Sequence, residues 1–246
     1  LLNFQWLFHY FCIKNSSDLG GHLTKKILKS LNKKLYGDII LSNKTKIILI
    51  VILLAVFGVL FAYESTTSNE NNTPVNHWEN DLGSVDKTVY GNNNSSTELV
   101  LIAGIHPREP LAIEPEIEAV NEFCKNHDVK FTVYHVNVTE NPTDYQESRD
   151  NGESLVHDYV VPDISNTDGK AVIISHSHIE GYGEGYYLAT PAMDKASVDI
   201  SQKIANSSDF KYFPRNVSKP IEATSAKLVS IPIADAGYPT FVYEIP

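Results

Sequence analysis

Residues 99–109 read Leu99-Val100-Leu101-Ile102-Ala103-Gly104-Ile105-His106-Pro107-Arg108-Glu109, an apolar run that opens into a turn bearing a histidine, an arginine and a glutamate. A short aliphatic run closed by glycine and proline predicts a strand over Glu98–Gly104. His106 and Glu109, released together from the strand end, can reach one divalent cation. Two His and one Glu with a fourth position left open is a catalytic zinc donor set. The tetrapeptide alone says little, because nine His and sixteen Glu in 246 residues give roughly half a His-x-x-Glu pair by chance. The weight therefore falls on what surrounds it.

Working outward, Leu111 to Asn126 carries Ile113, Ile117, Val120 and Cys124 at helical spacing, so a helix is expected with Cys124 in the core. Phe131–Val138 alternates like a strand, which completes a strand–helix–strand unit and implies a parallel pair; His135 lies inside it as a structural residue. A short helix is expected near Ser154–Tyr159. Ala171-Val172-Ile173-Ile174-Ser175 then reads as a buried parallel strand ending at His176. A Gly- and Tyr-rich loop over residues 181–187, a helix near Met193–Ala205 and a last strand over Thr240–Ile245 complete the pattern. The expected fold class is α/β, a mostly parallel or mixed central sheet flanked by helices. Such sheets place functional residues just beyond the strand C-termini, where His106 and His176 both fall.

The third metal ligand is expected to be His176, with His178 kept as an alternate ligand or substrate contact. Glu244 is the single carboxylate in the apolar strand Thr240–Ile245, and a lone Glu there is costly unless it faces a polar site. It is the candidate general base, taking a proton from water and passing it to a leaving amine. The other reading of Glu244 is a solvent-facing residue of an edge strand. Beyond residue 63 the chain has three arginines. Arg108 lies inside the metal motif and Arg149 in the polar stretch Glu147–Gly152; either is a candidate to fork onto a substrate carboxylate or to polarise the scissile carbonyl. Arg215 has no such placement and is expected at the surface.

Ile47 to Tyr63 is an uncharged apolar run of seventeen residues, the short end of a membrane-spanning helix. Residues 1–46 hold eight Lys against Asp18 and Asp38, which puts the N-terminal side in the cytoplasm. Beyond residue 63, twelve Lys plus Arg stand against twenty-eight Asp plus Glu, a formal balance near −16. An acidic domain with no basic patch argues against nucleic-acid binding. Cys12 and Cys124 lie on opposite sides of the apolar run, so no disulfide framework is expected. The expected organisation is a basic cytoplasmic segment over 1–46, a transmembrane helix over 47–63, an Asn/Ser/Thr-rich stalk over 64–97 and a folded domain over 98–246 outside the cell membrane.

Gly104-Ile105-His106-Pro107-Arg108-Glu109 resembles the first metal motif of zinc carboxypeptidases of the carboxypeptidase A class. Two further segments agree in order: Lys170–Ser177, similar to the strand that ends in the third ligand, and Thr240–Glu244, similar to the strand that bears the catalytic Glu. The short interval from His106 to His176 also makes the chain similar to related deacylases such as succinylglutamate desuccinylase, and the nearest match to the family's Asn-Arg carboxylate clamp is Arg149 with Asn151, in the reverse order. The resemblance implies a Zn2+-dependent hydrolase acting on a peptide or N-acyl amino acid, with His106, Glu109 and His176 as ligands and Glu244 and Arg108 as catalytic residues. Arg149, Asn151 and His178 are then the substrate contacts, and the location suits a cell-envelope peptide. The alternative is a non-catalytic surface binding or structural domain that retains the fold.

Overall fold

The computed structural model describes residues 74–246 apart from Glu180 and Tyr182. The apolar run 47–63 and the basic segment before it lie outside the described residues. Among the described residues no helix is long and apolar enough to cross a membrane.

The described chain builds one mixed sheet of eight strands: β1 (Asn76–Asn80), β2 (Gly83–Gly91), β3 (Glu98–Ala103), β4 (Lys130–Val138), β5 (Val172–Ser177), β6 (Tyr187–Thr190), β7 (Lys211–Pro214) and β8 (Thr240–Ile245). Their order across the sheet is β1-β2-β4-β3-β5-β8-β6-β7. The four central strands β4, β3, β5 and β8 run parallel, as their apolar sequences imply. Helices cover both faces: α1 (Glu114–Asn126) and α3 (Lys195–Ser207) on one, α2 (Tyr145–Leu155) and the short α4 (Ile231–Asp235) on the other.

Alternation along each strand feeds two separate cores. Leu99, Leu101, Phe131, Val133, Ile173, Phe241 and Tyr243 pack with Val120 and Phe123 of α1 and Ile204 of α3. Cys124 packs against this layer, as expected. Val100, Ile102, Val136, Val172 and Ile174 pack on the other side with Leu155, Val156 and Val160, which continue α2, and with Ile233 of α4. The β3–α1–β4 crossover therefore runs over one face and the β4–α2–β5 crossover over the other. Chain connections leave β3 and β5 in opposite directions, which opens a crevice at their C-terminal ends.

Three expectations change. The stalk does not extend to residue 97, because β1 and β2 form an antiparallel hairpin that β2 joins to the sheet through β4. Lys87 on β2 is buried; its Nζ donates to Asp163 Oδ2 at 2.6 Å, and Tyr134 donates to the same oxygen at 2.7 Å. Lys87 interrupts the alternation that Val85 and Val89 begin, which leaves the strand hard to read. The short helix expected near Ser154–Tyr159 is the end of a longer one: α2 begins at Tyr145, where Asp144 caps it by accepting from the backbone N–H groups of Gln146 and Glu147. Arg215 is half-buried rather than loose on the surface, its Nε donating to the Pro191 carbonyl at 2.7 Å.

Glu116, in the first turn of α1, is 5% exposed and its Oε2 has no hydrogen-bond partner. Burial pushes its carboxyl up to about 9. The unfolded chain ionises near 4.5, so between these values folding must keep a proton on Glu116 and stability falls as pH rises. Glu116→Gln should remove that slope. In denaturant unfolding at a series of pH values, its advantage over the natural chain should widen by about 1.4 kcal/mol per pH unit between 5 and 8. A constant difference would show that Glu116 ionises normally in the fold.

Candidate metal centre

Gly104 ends β3 at φ +85, and a side chain there would meet the Val136 carbonyl at 2.2 Å. Only glycine fits this turn, which lifts Ile105 and His106 off the strand axis. The next turn closes as the Glu109 N–H donates to the His106 carbonyl at 3.0 Å, folding the carboxylate back onto the imidazole. His106 Nδ1 lies 2.8 Å from Glu109 Oε1. His176, near the end of β5, brings its Nδ1 to 2.9 Å from Glu109 Oε2. The imidazole rings stand 4.5 Å apart between centroids. One ligand atom from each of His106, Glu109 and His176 lies within 4.8 Å of the others.

These three residues fit a divalent cation by their chemistry: two imidazole nitrogens and a carboxylate, with both histidines buried. Burial opposes ionisation of Glu109, but the hydrogen bonds from His106 and His176 outweigh it and hold its carboxyl well below the usual range. Burial likewise opposes charge on His106, and the carboxylates of Glu109 and Glu153 outweigh that, raising its pKa. The Ser177 backbone N–H adds a further bond to Glu109 Oε2 at 3.2 Å. Glu109 is thus fixed from several directions before any cation arrives.

Glu244 faces the same crevice. It is paired in register with His176 across the parallel β5–β8 contact, and it is half-buried. Burial raises its pKa, the nearby imidazoles of His176 and His178 and the Arg149 guanidinium oppose the shift, and the Glu109 carboxylate adds to it. A solvent-facing edge position is thereby corrected: β8 lies between β5 and β6 in the sheet.

The remaining candidates divide. Arg149 reaches the centre, but its Nη1 donates to Glu109 Oε1 at 2.8 Å, so its guanidinium is engaged with that carboxylate. Arg108 is exposed, with its guanidinium 5.5 Å from the centre of the Tyr145 ring; Arg149 lies 5.6 Å from the same ring. Asn151 spends its amide on the Glu140 carbonyl at 2.9 Å and is not among the groups that meet at Glu109. His178 bonds through Nε2 to the Gly185 carbonyl at 3.0 Å, with its ring against Tyr187, and so steadies the glycine-rich loop. Glu153, which sequence reading passed over, stands 3.3 Å from His106 Nε2. Its signal was the helical spacing Arg149-x-x-x-Glu153, which puts both side chains on one face of α2.

No family model matches the chain, and no curated protein does. Among solved structures it is similar to a metallo-carboxypeptidase from Burkholderia cenocepacia, with 13% identity, a TM-score of 0.45, and coverage of 75% of this chain and 58% of that one. It is also similar to succinylglutamate desuccinylase from Vibrio parahaemolyticus, with 14% identity, a TM-score of 0.38, and coverage of 66% and 62%. The chain spans less than two thirds of the length of either structure.

The centre distinguishes the two candidate third ligands. His176→Ala should abolish tight zinc binding, measured as metal content after dialysis, whereas His178→Ala should leave it within a factor of two. Loss of metal in His178→Ala alone would reverse the assignment.

Proposed function

We propose that this domain is a metal-dependent hydrolase of a peptide or amide bond, with His106, Glu109 and His176 holding Zn2+. The observation that carries this reading is the convergence of those three side chains in the crevice beyond β3 and β5, with Glu244 paired to His176 on the adjoining strand. Zinc bound there supplies Lewis acidity, polarising a carbonyl and making water a competent nucleophile near neutral pH. The protein's own part is orientation and proton transfer.

In this scheme Glu244 takes a proton from water as the oxygen attacks the carbonyl carbon, and delivers it to the amine nitrogen as the carbon–nitrogen bond breaks. Burial raises its pKa, which makes the carboxylate a stronger proton acceptor than an exposed glutamate. Arg108, exposed two residues after His106, is assigned to the scissile carbonyl or to the polar or anionic end of the substrate. A peptide or an N-acyl amino acid supplies both an amide and such an end.

Glu244→Gln should keep its zinc and lose at least about a hundredfold in turnover on short peptides or N-acyl amino acids. Metal content and initial rates on such a panel check this together. Zinc bound by the natural chain with no hydrolysis across the panel would favour a binding domain over an enzyme.

We further propose that residues 47–63 tether the domain to the cell membrane, with the lysine-rich segment in the cytoplasm and the acidic domain outside, where a cell-envelope peptide is a suitable substrate. The uncharged run and the lysine asymmetry support this. The full chain should sediment with membranes through a carbonate wash, and deletion of 47–63 should release it; an unchanged distribution would remove the tether.

A further inference from the structure

Helix α2 contacts the metal motif at three points along one face. Arg149 donates to Glu109. One turn on, Gly152 lies so close to the strand exit that a Cβ at its position would stand 1.8 Å from the Ile105 carbonyl oxygen. Glu153, the next residue, is 4% exposed and turns Oε1 to His106 Nε2 at 3.3 Å, while its Oε2 is buried with no hydrogen-bond partner. A buried carboxylate held on a helix with one oxygen unpartnered is costly. Its retained contact is with the ring nitrogen opposite the one that faces Glu109.

We propose that Glu153 is a positioning residue for His106, seated there by the close helix approach that Gly152 permits. The inference rests on His106 being a metal ligand, as proposed above. By accepting a hydrogen bond from Nε2–H, Glu153 keeps the proton on that nitrogen and leaves Nδ1 to ligate on the Glu109 side. It also stops rotation of the ring, and Gly152 sets the distance at which this works. Glu153 does not touch substrate in this arrangement; it acts through His106.

The test uses the full chain and zinc alone. In competition with a chelator, Glu153→Ala should bind zinc about 10- to 100-fold more weakly than the natural chain. Glu153→Gln, which keeps a neutral acceptor, should recover part of that loss. Asp150→Ala, an exposed change on the same helix, should have no effect. A second readout needs no metal: the natural chain should show a slowly exchanging, downfield His106 Nε2–H resonance that disappears in Glu153→Ala while the remaining spectrum stays folded. Equal zinc affinity in Glu153→Ala and the natural chain, or an unchanged Nε2–H signal, overturns the positioning role. Failure of the natural chain to bind zinc overturns the metal reading instead, and the resonance still decides whether Glu153 orients His106.

Discussion

Everything at the candidate centre depends on the parallel pairing of β3 with β5, in which Val100, Ile102 and the residues between them register against Val172 and Ile174. The pairing joins segments some seventy residues apart and lays their C-terminal ends side by side. Right-handed crossovers then leave little choice: the β3–β4 connection covers one face and the β4–β5 connection the other. The crevice this opens is where His106 leaves β3 and where His176 completes β5. A shift of β5 by one residue would turn His176 to the opposite face and break the cluster without altering any ligand.

The central strands and the cluster of His106, Glu109 and His176 were legible because both are written locally. Aliphatic runs at 99–103 and 172–174 announce buried strands, and each is followed by the histidine that matters. Glu244 was legible for a different reason, as an anomaly within an apolar strand. What escaped reading depends on partners distant in sequence. β2 buries Lys87 against Asp163, so its inward face looks polar, and its hairpin with β1 resembles exposed linker until β4 is there to receive it. β6 and β7 are four residues each and are defined by their neighbours more than by pattern.

Helix α2 is the instructive case. Asp144-Tyr145-Gln146-Glu147 has the form of a capping box, and Asp144 does accept from two backbone N–H groups. Yet the polar composition of residues 147–152 reads as that of a loop. The helix is polar because its inward face is directed at charged groups. Arg149 answers Glu109, Glu153 answers His106, and Gly152 stands where any larger residue would hold the helix away. Apolar periodicity cannot announce a helix that packs on a charged centre, whereas the spacing of its charges can.

Charge balance links these layers to chemistry. Glu109, Glu153 and Glu244 bring three carboxylates into or beside the crevice, against the guanidinium of Arg149. Carboxylates gathered in a partly buried crevice are expensive unless positive charge offsets them. The Glu109 and Glu153 carboxylates overcome burial and raise the pKa of His106, so the site draws positive charge toward itself. A divalent cation would offset the carboxylates and satisfy all three converging donors at once. Hydrogen bonds from the two imidazoles hold Glu109 ionised, whereas burial lifts Glu244, and this difference separates the carboxylate that would bind metal from the one that would carry a proton.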